Sequence, residues 1–324
     1  MSDDRGETLA GQNPASVPLT LGNARQRPSR TDGLLAEMYR NRWAYVFLAV
    51  PVLVLTVFWL GPIIYSFVLA FLRYRPQGSE WVGLANFRAT LSDYRFGLGL
   101  RNTLVYTVGV VGLGLVLSLG MSAMIFRLKS TKLQVFFKAA YYLPSVASAA
   151  VMSLVWLWLY EPAFGLLNYI LTRVGLQPVL WLANPRTALP SLMLMSLAGG
   201  QGASVVLLTA AMGSVPPELY EAASIDGASE KRQFFSVTLP LVVPTILYLV
   251  IMGTINGFQV FTNVYMMTNG GPGNATTTVV YNIYRWAFDS FNFGRASAEA
   301  VFLFLILVVV SYAQYRGLGR EVEY

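Results

Sequence analysis

The chain has 324 residues, of which 55% are hydrophobic and 12% charged, about half the charged share of a soluble domain. It contains no cysteine and no histidine, which excludes disulfides, thiolate chemistry, His-based metal sites and Ser–His or Cys–His nucleophile pairs. The net charge of +7 comes from basic residues that flank long apolar blocks, so it reads as membrane topology rather than nucleic-acid binding.

Residues 1–42 are polar and rich in Gly, Ser, Asn and Arg, and they read as a mostly disordered tail. The apolar stretch 43–72 is too long for the core of a signal peptide, so it reads as a retained first span. An outer segment follows over 73–101. Further apolar blocks run over 102–126, 139–160, 189–213, 241–267 and 297–315, and residues 316–324 form a closing tail. Each block approaches or exceeds the roughly 20 residues that cross hydrocarbon. Backbone groups there must be satisfied within the segment, so the expected fold is an all-α membrane protein of about six helices. With the N-terminus inside, the inner segments carry a modest excess of Lys and Arg, as the topology rule requires. Both termini then face the cytoplasm. The segment 73–101 is the awkward one, because Arg73, Arg75, Arg88, Arg95 and Arg101 all fall on the outer side.

On this topology the charged stretch between the fourth and fifth blocks, ELYEAASIDGASEKRQFFSVTLP, faces the cytoplasm. Pro216 and Pro217 stop the preceding helix, and Pro217 suits the first turn of a new one. Glu218 and Glu221 favour its positive end, and Gly227 can terminate it with a positive φ. The spacing predicts a short helix over 217–226 and a second helical stretch over 229–238. Leu219, Tyr220, Ala223 and Gly227 fall on one arc, which is small enough for another surface to approach. The plain alternative is a polar loop that shields the bundle.

Polar groups inside a bilayer usually line a cavity or the bundle interior. In the fourth block, Gly199-Gly200-Gln201-Gly202 weakens the helix, and Ser204 follows. In the fifth, Asn256, Gln259 and Asn263 share a helical face. Two readings stay open for them: a passage for a polar solute, or hydrogen bonds between helices. Trp156, Trp158 and Tyr160 suit either sugar stacking or an interfacial belt, and the belt is the preferred reading. Glu299 reads as a solvated end residue in preference to a partner of Arg295. No residue set reads as catalytic, cofactor-binding or metal-binding, and no G-x-x-x-x-G-K-[ST] phosphate loop is present.

The order Glu221-Ala222-Ala223, Gly227, Val237, Leu239-Pro240 resembles the EAA signature of permease subunits in binding-protein-dependent ABC importers, with Val237 where Ile is usual. The stretches NTLVYTV, YYLPSVASAAVMSLVWLWLYEPAFGLLNYIL and MTNGGPGNATTTVVYNIYRWAFDSFNFGRASAEAVFLFLI are similar to the MalF/UgpA-like carbohydrate-uptake permeases. The resemblance spans about 43–315. It implies a type I importer permease fold in a bacterial inner membrane, and a chain that is not itself an enzyme. It also implies a second permease subunit, two ATPase subunits that bind ATP and Mg, an outer solute-binding protein and a sugar or oligosaccharide substrate. Glu221, Ala222, Ala223, Gly227, Leu239 and Pro240 would couple to the ATPase. Gln201, Ser204, Asn256, Gln259, Asn263 and Trp156 are the pathway candidates, and 270–278 is an outer loop placed to touch the binding protein. The alternative is a secondary transporter driven by an ion gradient. The first five blocks contain no acid, which argues against it.

Overall fold

The computed structural model describes residue 40 and residues 42–74 and 78–318. The expected tails, 1–42 and 316–324, therefore lie outside the described residues except for Arg40, Arg42 and 316–318. The chain divides into two units at Pro62. The first holds α1 (Arg42–Leu55) and a π-helical turn, Thr56–Leu60. Pro62 has no N–H to offer the carbonyl one turn back, and Gly61 N–H reaches Thr56 O across the widened turn.

The second unit begins within α2 (Gly61–Leu69). A two-residue antiparallel ladder follows, β1 (Leu72–Arg73) with β2 (Glu80–Trp81), and then α3 (Ala85–Leu91). The central element is α4 (Tyr94–Phe126), a helix of 33 residues. It starts eight residues earlier than the apolar block suggests because Asp93 caps it, accepting from Arg95 N at 2.8 Å. Then come α5 (Thr131–Val146), α6 (Ala149–Leu159), α7 (Leu166–Arg173), α8 (Pro185–Gly199) and α9 (Gly202–Gly213). The hairpin holds α10 (Pro217–Ile225) and α11 (Glu230–Gln233), followed by a π turn (Phe234–Thr238) and α12 (Leu239–Leu241). The chain closes with α13 (Val243–Phe258), α14 (Thr262–Met267), α15 (Val279–Tyr284), a π turn (Arg285–Asp289) and α16 (Phe293–Leu318).

Among the described residues, three helices are long and apolar enough to cross a membrane: Arg42–Leu69, Tyr94–Phe126 and Phe293–Gly317. Three bent pairs bring the number to six if each is one span. They are α5 with α6 (95°), α8 with α9 (46°), and Glu230–Leu241 with α13 (65°). The expected straight third block is thus two helices. Pro144 lies in the last turn of α5, Ala147 and Ser148 are extended, and Ser148 Oγ accepts from Val151 N to open α6. A proline and a fresh N-cap together redirect the chain.

The core is built on α4, which packs against α8, α9 and α13. Its inward stripe is small and polar: Asn102, Thr103, Thr107, Ser118 and Ser122 are all buried. Lipid supplies no hydrophobic drive between helices, so small residues and interhelical hydrogen bonds hold the bundle. Ser122 Oγ donates to Val205 O at 3.0 Å, and Gln314 Nε2 donates to Thr254 Oγ1 at 2.8 Å. Gly202 lets α9 approach α5, for a Cβ there would lie 2.3 Å from Tyr141 O. One apolar cluster joins Tyr106, Leu192, Met195, Val264 and Tyr281, and a second joins Phe96, Phe258, Val279 and Leu303.

Candidate functional site

The hairpin after α9 is exposed along most of its length. Helix α10 starts on Pro217 and ends before Gly227, whose φ is +74°. Gly227 N donates to Ser224 O and Ala228 N to Ala223 O, which closes the helix as a left-handed cap does. Two side-chain bonds tie α10 to the segment behind it. The Tyr220 hydroxyl meets Thr238 Oγ1 at 2.9 Å, and Gln233 Nε2 donates to Ser224 Oγ at 2.9 Å. Arg127, at the end of α4, reaches Glu230 O at 3.2 Å and so links the hairpin to the longest helix.

These bonds correct the helical-wheel reading. Of the predicted arc, Tyr220 and Ala223 are half-buried against the chain itself, while Leu219 and Gly227 stay exposed. The free face is the other one, with Glu218, Glu221, Ala222 and Ile225. Ile225 is 88% exposed, beside two carboxylates and an alanine. A bare methyl surface rimmed by acids can receive a close-fitting basic partner. Leu239 is half-buried in α12, and Pro240 is exposed beside it.

A cavity of about 830 Å³ opens among α4, α8, α9, α13 and α14. Gln201, Ser204, Asn256, Gln259 and Asn263 all line it, with Tyr106, Ser118 and Ser196. Among the described residues, none of its lining side chains is charged. The five predicted polar residues play different parts. Gln201 sits at the break between α8 and α9 and accepts from Ser118 Oγ at 3.1 Å. Asn263 Nδ2 donates to Ser196 Oγ at 3.3 Å, and Ser196 meets the Tyr106 hydroxyl at 2.6 Å. Asn263 therefore belongs to the wall. Asn256 and Gln259 are exposed into the cavity, and Ser204 is half-buried there.

The shared helical face predicted for Asn256, Gln259 and Asn263 does not exist as such. Helix α13 ends at Phe258, Gln259 caps it, and Asn263 belongs to α14. The chain bends and brings the three to one cavity by a different route. Trp156 lies outside the lining; it packs on Tyr160 at 5.2 Å between ring centroids and against the main core. Tyr160 is no belt residue either, since it is buried and donates to Ser191 O at 2.7 Å. Of these three aromatics, Trp158 is the one exposed as a belt residue is, at 54%.

Within the loop 270–278, Gly273 is exposed and Gly271 and Pro272 are half-buried, whereas the threonines after them fold inward. Thr276, Thr277 and Thr278 are buried. Asn102 Nδ2 donates to Asn274 O and Thr277 O, and Thr103 Oγ1 accepts from Val279 N at 3.1 Å. The NTLVYTV stretch thus holds this loop, a role that only the contact reveals. Glu299 is fully buried rather than solvated. Both of its oxygens accept from Asn282 Nδ2, at 3.2 and 3.0 Å, and Arg295 Nε lies 3.9 Å away. Arg295 stacks on Trp286 at 3.7 Å and pairs with Asp93, the cap of α4. Its i,i+4 spacing to Glu299 was the available sequence signal.

Comparison with known proteins agrees with this geometry. The family described as binding-protein-dependent transport system inner membrane component matches residues 111–324. The chain is 32% identical over 298 residues to the sn-glycerol-3-phosphate transport system permease protein UgpA of Agrobacterium fabrum, covering 89% of this chain and 98% of that protein. It is 31% identical over 311 residues to the arabinooligosaccharides transport system permease protein AraP of Bacillus subtilis, covering 93% and 97%. The fold matches a chain of a bacterial ABC transporter involved in the import of the acidic polysaccharide alginate with a TM-score of 0.81, at 23% identity and covering 90% and 99% of the two chains. This chain belongs to the family of inner-membrane components of binding-protein-dependent transport systems.

Proposed function

We propose that the chain is one transmembrane half of an ATP-driven importer for a sugar or oligosaccharide, working by alternating access in a bacterial inner membrane with both termini cytoplasmic. A second permease subunit completes the passage, a solute-binding protein delivers the substrate from outside, and two ATPase subunits hold ATP and Mg. The chain itself carries no catalytic step. In this reading α10 is the coupling element. Glu221 meets a basic group of an ATPase subunit, Ala222 and Ala223 keep the helix slim, Gly227 turns the chain, and Leu239 and Pro240 pass the motion into α13.

The observation that carries the reading is α10 itself: a short, slim, acid-rimmed helix that is exposed on one side and tied on the other by Tyr220–Thr238 and Gln233–Ser224. A lever needs both a free face and a rigid attachment. The uncharged cavity, with the amides of Asn256 and Gln259 free to bond, supports a hydroxyl-rich solute. The relatives named for glycerol-3-phosphate, an anion, and for arabinooligosaccharides, which are neutral, share that hydroxyl-rich character.

Uptake in proteoliposomes that contain all subunits and the binding protein tests this. Solute accumulates only with ATP on the ATPase side. Accumulation without ATP, driven by a proton or sodium gradient, contradicts the proposal.

A further inference from the structure

The arginines of the segment between α2 and α4 have no place in the transport reading, and they run against the charge bias of the rest of the chain. The structure shows what surrounds them. One side of this segment is fixed to the protein. Asn86 Nδ2 donates to Ala70 O at 2.9 Å and Leu72 O at 3.0 Å. Phe87 packs on Phe71 at 5.1 Å and on Phe302 at 5.5 Å, and Thr90 and Phe96 are buried. The other side is free. Trp81, Leu84, Leu91 and Tyr94 are 67%, 57%, 66% and 75% exposed.

Arg88, Arg95 and Arg101 stand among these apolar groups and are exposed too. None of the three has an acidic partner among the described residues. The two nearby acids are already engaged, Glu80 with Arg73 and Asp93 with Arg295. Leu84, Arg88 and Leu91 fall at i, i+4 and i+7, so one face of α3 and its cap mixes leucine with arginine.

The length of α4 places this segment. A helix of 33 residues runs about 50 Å at 1.5 Å per residue, well beyond the roughly 30 Å hydrocarbon layer. Its first turns therefore pass through the headgroup layer, and they carry Tyr94, Arg95 and Arg101. Aromatic rings and arginines are the side chains that settle at that depth, with their apolar bodies in the lipid and their polar tips at the headgroups.

We infer that residues 81–101 form an interfacial patch that lies in the bilayer headgroup layer and binds anionic phospholipid, with Trp81, Leu84, Leu91 and Tyr94 in the acyl boundary and Arg88, Arg95 and Arg101 on lipid phosphates. An acidic face of a docking protein would satisfy the same charges. It would also leave four large apolar side chains in water whenever the partner was absent, whereas a bilayer covers them at all times. The lipid reading accounts for the outlying charge as well, because these arginines bind the leaflet they face.

The chain contains no cysteine, so single Leu84→Cys, Leu91→Cys and Tyr94→Cys variants accept a nitroxide label without interference from this subunit. The whole importer is reconstituted in vesicles of equal parts phosphatidylcholine and phosphatidylglycerol, without binding protein. The labels are expected to relax with dissolved oxygen and resist a water-soluble nickel chelate, while a Ser79→Cys control responds to the chelate. In the same vesicles, Arg88→Gln, Arg95→Gln and Arg101→Gln each weaken retention of phosphatidylglycerol over phosphatidylcholine roughly fivefold, and Lys at the same positions restores it. Chelate access equal to the control overturns the inference. So does protection that appears only when binding protein is added, or a lipid preference that survives loss of all three arginines. Neither readout depends on uptake, so a failure of the transport reading leaves this test standing.

Discussion

Arg295 shows how much of this protein rests on single side chains. Its guanidinium stacks on Trp286, pairs with Asp93 at the start of α4, and lies beside the buried carboxylate of Glu299. Three elements meet there. Removing the cation leaves two acids with little water to solvate them, so Arg295→Ala is expected to cost about 3 kcal/mol of stability. Glu299→Gln keeps an acceptor for Asn282 and removes a buried charge, so it is expected to cost far less. Thermal unfolding of the purified variants in detergent distinguishes the two. The sequence offered the Arg295–Glu299 spacing but not Asn282, because a contact 17 positions away on another helix leaves no local trace. Gln201 was legible for the opposite reason. Three glycines around one amide in an apolar block mark a break whatever the rest of the chain does.

Among the elements, the hairpin was the most legible and the bends the least. Paired prolines, early acids and a late glycine each act within a turn of where they stand, and they set the limits of α10 at Pro217 and Ile225. Gly227 adopts the left-handed conformation, where a side chain costs roughly 1–2 kcal/mol. Gly227→Val is therefore expected to speed amide exchange over 217–240 and leave α4 and α16 unchanged. Which arc of α10 faces out was not legible, because the Tyr220–Thr238 bond that settles it crosses the hairpin. The bend between α5 and α6 had a local signal in Pro144 and Ser148, but unbroken hydropathy masked it. The end of α13 at Phe258 had a weaker one, since Asn256 and Gly257 are poor continuers of a helix.

For the whole molecule, the count of apolar blocks, an all-helical membrane fold and a family pattern were legible in the sequence. The cavity was legible only as a set of polar residues, because its shape comes from three bends and from packing on α4. The structure separates its residues by duty. Asn263 and Ser196 hold the wall, while Asn256 and Gln259 face the empty volume. Replacing the latter two with leucine removes two hydrogen-bonding groups at about 0.5–1.5 kcal/mol each. Uptake by the Asn256→Leu/Gln259→Leu variant is therefore expected to fall about tenfold at low solute concentration, while ATPase subunits still copurify. Loss of copurification instead would mean that the cavity residues serve assembly.

The central claim is that the free face of α10 is where an ATP-consuming partner takes hold. The most direct measurement is Glu221→Lys in the reconstituted importer, followed by copurification of the ATPase subunits and ATP-driven uptake. The account predicts that copurification or uptake collapses while thermal stability of the membrane subunits stays at the wild-type value, since Glu221 is exposed and its carboxylate has no partner among the described residues. Full ATPase binding together with full uptake in this variant would contradict it.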